Sequence, residues 1–281
     1  MGIRLGRNDY GKAENRVVRI YRDTPRHEIR DVTVSTALRG DFTAAHLEGD
    51  QSRVLPTDTQ KNTVYAYAKE HGLREIEDYA LTLARHFVSD VEPVEGARIE
   101  VDEHTWERIP VDGAGDHSWV RRESEIRTTV VEVGAEGERV VSGLKDLVLL
   151  KSTGSEFAGF LRDEYTTLQE THDRIMSTSL VATWTYTGTD VDDWDKTWTD
   201  VRAILLERFA SVHSLALQQT LWEMGRAVLE AHPQIAEISL SAPNKHHFVV
   251  DLSPFGLENP NEVFYAADRP YGLIQATVTR D

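Results

Sequence analysis

Residues 140–186 read VVSGLKDLVLL, then KSTGSEFAGFLRDEYTTLQETHDRIMS, then TSLVATWTY. Two strand-like runs, 140–150 and 178–186, flank one long connection, 151–177. Long connections inside compact domains are uncommon, and are usually functional or disordered. This one holds too much Phe, Leu, Tyr and Ile to be disordered. It carries two aromatics beside small neighbours (Phe157, Phe160), two arginines (Arg162, Arg174) and many hydroxyls, so it is the place to look for a site.

Reading outward from it, the chain repeats an order. Upstream, residues 16–21 and 28–38 have strand character; in the second run Val32, Val34, Thr36 and Leu38 alternate with polar or small residues, as one buried face requires. Thr57 opens a helical pattern with Val64, Tyr67, Ala68 and His71 on one side, and Thr57-Asp58-Thr59-Gln60 reads as a capping box. Gly72 is a stop signal, and a second helix follows with Ile76, Tyr79, Leu83 and Phe87 at spacings of three and four. Strand runs at 97–109 and 118–133 close this half. Downstream of the long connection one helix presents Trp198, Val201, Leu205, Phe209 and Val212, and the next presents Leu217, Leu221, Met224 and Val228. Short strands at 235–240, 247–252 and 273–279 end the chain. The order strand–strand–helix–helix–strand–strand therefore occurs twice, in 1–136 and 137–281. Each half is expected to be an antiparallel four-stranded sheet with two helices on one face, an α+β architecture. Sheet edges left open in such halves invite closure with a second chain.

Composition removes several classes of function. The 281 residues are 40% apolar and 28% charged, as in a globular protein, and no apolar run approaches a bilayer span. The N-terminus lacks the apolar core of a signal peptide, and a cytoplasmic location is expected. There is no cysteine, which excludes disulfides, thiolate metal sites and cysteine nucleophiles. A net charge of −16 argues against nucleic-acid partners, and means that an anionic ligand must be held by a local positive group.

No nucleotide-binding glycine loop, zinc-protease helix or nucleophile elbow is present. His246-His247 would point to opposite faces of a strand, and Asp190-Val191-Asp192-Asp193 lacks the Gly and Glu of a calcium loop, so no metal site is expected. Arg174 suits a planar anion, or else pairs with Glu170 one helical turn back. Phe157 either stacks on a flat ligand or fills core. Gln218 offers an amide to a ring edge, or is a solvated helix position. Lys12 is either a surface residue or a desolvated base. Taken singly, these residues reach only a site for a planar polar ligand.

In combination they are more specific. Tyr10-Gly11-Lys12, Thr57-Asp58-Thr59-Gln60-Lys61-Asn62-Thr63, Leu150-Lys151-Ser152-Thr153, Phe160-Leu161-Arg162-Asp163-Glu164-Tyr165-Thr166-Thr167-Leu168 and Pro243-Asn244-Lys245-His246 occur in this order. The set resembles the urate oxidase (uricase) family, its bacterial branch in particular, from about Tyr10 to Thr279. The resemblance implies two tandem tunnelling-fold units assembled into an oligomeric barrel, a homotetramer with active sites at subunit interfaces. The activity it implies is oxidation of urate by O2 and water to 5-hydroxyisourate and hydrogen peroxide, with neither metal nor organic cofactor. Arg174 and Gln218 would then clamp the urate, Phe157 stack on it, the Leu217 backbone add a hydrogen bond, and Asn244 lie over the ring where O2 binds. Lys12, Thr57 and His246 would relay protons. Asp58 would touch the ligand edge, and Lys12, Thr57 and Asp58 would come from a neighbouring subunit. Leu217 stands where the family commonly has a β-branched residue, and the chain ends at Asp281 without the peroxisomal address of some members. A tunnelling-fold enzyme acting on a pterin and a non-catalytic purine-binding protein are the alternatives.

Overall fold

The computed structural model describes residues 2–111, 115–121, 124–267 and 269–280. By its internal contacts the chain divides into a first unit, Met1–Gly143 with Thr185–Asp195, and a second, Leu144–Trp184 with Lys196–Asp281.

The first unit begins with β1 (Asn15–Tyr21) and β2 (Glu28–Gly40), paired antiparallel with Asn15 opposite Val34 and Tyr21 opposite Glu28. Three helices follow: α1 (Thr43–Leu47), α2 (Thr57–Glu70) and α3 (Ile76–Asp90). β3 (Val94–His104) then pairs antiparallel with β2, and β6 (Ile126–Gly134) pairs antiparallel with β3; β4 (Glu107–Arg108) and β5 (Trp119–Val120) form a small ribbon between them. The order of the main sheet here is β1-β2-β3-β6, followed by β7 (Gly137–Lys151), whose first residues belong to this unit.

The alternation read in β2 is the alternation found. Val32, Val34, Thr36 and Leu38 are buried, and the register sets Val34 against Val101, Thr36 against Ile99 and Leu38 against Ala97, all buried. α3 buries Ile76, Tyr79, Leu83 and Phe87 and packs on β3 and β6. Its apolar stripe thus supplies one side of this unit's core.

Two local expectations fail. Thr57 is not a cap: Pro56 occupies that position, Thr57 is the first helical residue, and no side chain caps the helix. Gln60, the would-be capping partner, is fully buried and accepts a hydrogen bond from Thr36 Oγ1 at 2.7 Å instead. The long strand runs 97–109 and 118–133 are cut at His104 and resume at Ile126, with the ribbon as an excursion. Parts of those runs, 112–114 and 122–123, lie outside the described residues. The short α1, beside buried Phe42, carries no apolar periodicity long enough to read.

The unit also buries a charge cluster with no sequence signature. Arg127 reaches Glu77 at 2.7 Å, Asp195 at 2.5 Å and Glu103 at 3.7 Å. Ser142 Oγ donates to Glu77 at 2.5 Å, and Arg30 bridges Glu103 and Asp195 at 2.7 and 3.0 Å.

The second unit takes the rest of β7, then β8 (Met176–Tyr186), β9 (Ile235–Asn244) and β12 (Gly272–Thr279), in the order β7-β8-β9-β12. α4 (Trp194–Ser211) and α5 (Leu217–Ala231) precede β9. β12 runs antiparallel to β9, and α5 packs on both. Gly225 allows that approach: a Cβ there would lie 2.6 Å from Val278 Cγ2. The run 247–252 is not a strand of this sheet. β10 (His247–Val249) pairs only with β11 (Phe264–Ala266), as a separate two-stranded ribbon. Its Phe248 and Val249 are exposed, so this apolar run is not a core strand. Among the described residues no helix is long and apolar enough to cross a membrane.

Candidate active site

The long connection contains neither a helix nor an extended strand. It is held by a few backbone bonds. Phe157 and Thr171 exchange hydrogen bonds at 2.8 and 3.0 Å, Arg174 N–H donates to Ser155 O at 2.9 Å, and Glu156 N–H donates to Ser214 O at 2.7 Å. The Arg174–Glu170 helix pair is therefore ruled out, and Glu170 accepts from the Gly159 N–H at 3.0 Å. Gly159 has φ +69°, a conformation L side chains avoid, so the turn needs glycine.

These bonds fold the connection against the start of α5 and the end of β9, around a cavity of about 620 Å³. Phe157, Arg174, Leu217, Gln218, Asn244 and His246 all line it, with His247 and Phe248 from the β10 ribbon. Six of the nine site residues expected from the sequence thus meet within one unit, although as many as 89 positions separate Phe157 from His246 (246 − 157). His246 lies outside any strand, and both it and His247 face the cavity, contrary to the opposite-face expectation.

Each wall has a distinct chemistry. The Phe157 ring stacks on Phe160 at 4.9 Å with planes 14° apart, leaving it half-buried rather than in the core. The Arg174 guanidinium lies 5.3 Å from the Phe157 ring centre. Its Nε is buried without a hydrogen-bond partner, and no carboxylate pairs with the guanidinium among the described residues. Burial alone pulls its pKa down. A half-buried arginine with no counter-charge suits an anion, since partial desolvation of an unpaired charge is costly. Leu217 and Gln218 form the first turn of α5, which no side chain caps. Their N–H groups and the positive helix end add to the attraction for negative charge. Asn244 closes β9 opposite Gly272. His246 has its pKa lowered, first by burial and then by the Arg174 charge, so it is neutral at pH 7 and able to accept a proton.

Lys12, Thr57 and Asp58 are residues of the first unit and do not line this cavity. They are linked to one another. Lys12 N–H donates to Thr36 Oγ1 at 3.1 Å, and Thr36 Oγ1 donates to Gln60 on the first turn of α2, where Thr57 and Asp58 sit. Gly11 makes this possible, because a Cβ there would lie 1.7 Å from Thr36 O. The Asp58 carboxyl is held low, chiefly by its hydrogen bond from Lys61, with Lys12 adding a smaller attraction. Tyr10-Gly11-Lys12 and Thr57–Gln60, read apart in the sequence, are one local construction.

Sequence reasoning missed Phe160 as a stacking support and the ribbon residue Phe248. Only the aromatic pair at 157 and 160 carried a readable signal. Among the described residues no three His, Asp or Glu gather as metal ligands.

The Uricase family model matches residues 8–132 and 140–275. Uricase from Arthrobacter globiformis is 54% identical over 277 residues, covering 99% of this chain and 90% of that protein. Uricase from Dictyostelium discoideum is 36% identical, covering 97% of this chain and 96% of its own. The crystal structure of the Arthrobacter globiformis uricase superposes with a TM-score of 0.96 over 100% of this chain and 96% of that one. A uricase structure from Bacillus fastidious, 26% identical, gives 0.85 over 97% and 93%. The chain belongs to the uricase family.

Proposed function

We propose that the protein oxidises urate with O2 and water to 5-hydroxyisourate and hydrogen peroxide, using no cofactor. The observation that carries this is the unpaired Arg174 guanidinium beside the Phe157 face, at the uncapped start of α5. A planar anion with hydrogen-bonding edges satisfies all three at once. Arg174 and Gln218 would grip one edge of urate, Phe157 its face, and the Leu217 N–H a ring acceptor. Asn244 would hold O2, and later water, above the ring.

The redox chemistry belongs to the substrate. Deprotonated urate gives two electrons to O2, which takes two protons to leave as hydrogen peroxide. Water then adds its oxygen to the oxidised ring carbon and releases its proton. The protein orients the reactants and moves protons. His246 is the proton acceptor on the cavity wall. Lys12 and Thr57 would complete the relay, with Asp58 at the ligand edge, each supplied by the neighbouring subunit. Their placement in the first unit, away from the cavity wall, supports this reading. It goes with two tunnelling-fold units, 1–136 and 137–281, in a tetrameric barrel.

The test is urate consumption with O2 uptake and peroxide release, in the presence and absence of a strong chelator. Equal amounts of urate lost, O2 consumed and peroxide formed are expected, unchanged by chelation. Turnover abolished by the chelator, or no turnover, would overturn the reading.

A further inference from the structure

We propose that Glu156 is a positioning residue for urate, its carboxylate bridging His172 and His213 and so fixing the three backbone segments that carry Phe157, Arg174 and Leu217–Gln218. The inference rests on the urate reading above and deepens it. Glu156 Oε1 bonds His213 Nε2 at 2.6 Å, and Oε2 bonds His172 Nδ1 at 3.1 Å, so both oxygens are used. Each histidine stands close to a ligand-facing residue. His172 is two residues before Arg174, and His213 is four before Leu217. Glu156 itself precedes Phe157. One carboxylate therefore ties together three segments that are far apart in sequence.

The backbone bonds run through the same three segments. Phe157 pairs with Thr171, Arg174 N–H with Ser155 O, and Ser214 takes the Glu156 N–H and gives its own to Gly154 O at 2.9 Å. Each joins two segments only, and the carboxylate joins all three. Phe157 lines the cavity and Glu156 does not, so Glu156 acts through its neighbours. Its side chain is 22% exposed, against 75% for His172 and 59% for His213. The His213 hydrogen bond, and then that of His172, holds the Glu156 carboxyl below its ordinary range.

Pairs this exposed contribute little to global stability. Misplacement of a stacking face or a clamp is felt more strongly at the site. Glu156→Ala should raise the urate KM about tenfold with kcat within about twofold and little change in melting temperature. Glu156→Gln, whose amide oxygen keeps one imidazole bond, should fall between. His172→Ala/His213→Ala should match Glu156→Ala, and the triple variant should add nothing, because all three changes remove one bridge. Hydrogen exchange at the Phe157, Thr171 and Arg174 amides reads the same claim without substrate and should quicken about tenfold in Glu156→Ala. A KM within about twofold of wild type with unchanged exchange would overturn the inference, as would additive effects of the Glu and His changes. A wild-type protein that fails to turn over urate would sink the functional reading alone, and the exchange measurement would still decide the role of Glu156.

Discussion

Arg127, buried in the first unit, and Arg174, half-buried in the second, differ most in their counter-charges. Arg127 is 6% exposed and contacts three carboxylates. Burial pulls its pKa down, but Glu77, Glu103 and Asp195 outweigh that and hold it above the ordinary value. Burial pushes Glu77 up, against the pull of Arg127 and Ser142, so the cluster depends on Arg127 serving its carboxylates together. Arg174 has burial and no counter-charge. A compensated buried arginine is part of the fold. One left uncompensated beside a flat aromatic face is waiting for a ligand.

The largest effect should come from breaking the compensated site. Arg127→Met strands Glu77 in an apolar interior and should cost about 3–5 kcal/mol in denaturant unfolding. A loss below about 1 kcal/mol would erase the contrast, since that is what an exposed pair contributes. Next, Arg174→Gln should lower kcat/KM for urate at least about a hundredfold, as expected when one partner of a buried charge pair is removed. Its melting temperature should hold or rise, because no internal ion pair is lost. A large fall in stability would move Arg174 into the same class as Arg127. Phe157→Ala should raise the urate KM about tenfold, from the lost stacking, and Phe157→Tyr should keep most of it. The smallest effect concerns pH. The folded pKa of His246 lies below its free value, so it is neutral at pH 7 and becomes protonated only as pH falls through that lowered pKa. Turnover should decline on that acid limb. Any activity remaining in Arg174→Gln should show the limb displaced to higher pH, because one of the two causes of the shift is gone. An unmoved limb would remove His246 from the relay.

What could be read from the sequence follows the range of the forces involved. The α3 stripe Ile76, Tyr79, Leu83 and Phe87 and the alternation of β2 are local patterns imposed by one buried face, and both were legible. Thr57–Gln60 has the letters of a capping box, but Gln60 is drawn inward by Thr36, 24 residues away, and a tertiary hydrogen bond overrides the local motif. Within 247–252, the apolar Phe248 and Val249 line the cavity and do not join the main sheet. At the site, each residue alone left a bland alternative open. The motifs in order suggested the family, and the fold then brought Phe157, Arg174, Leu217, Gln218, Asn244 and His246 to one cavity. Glu156 and the Arg127 cluster depend wholly on contacts between distant segments, so no local spacing announces them.

The most direct test of the contrast is a crystal structure of the protein with urate, grown without O2. The purine plane is expected to lie along the Phe157 ring in the second-unit cavity, with an anionic edge on the Arg174 guanidinium and the Gln218 amide alongside. Urate bound elsewhere, or bound there with Arg174 turned away, would contradict it.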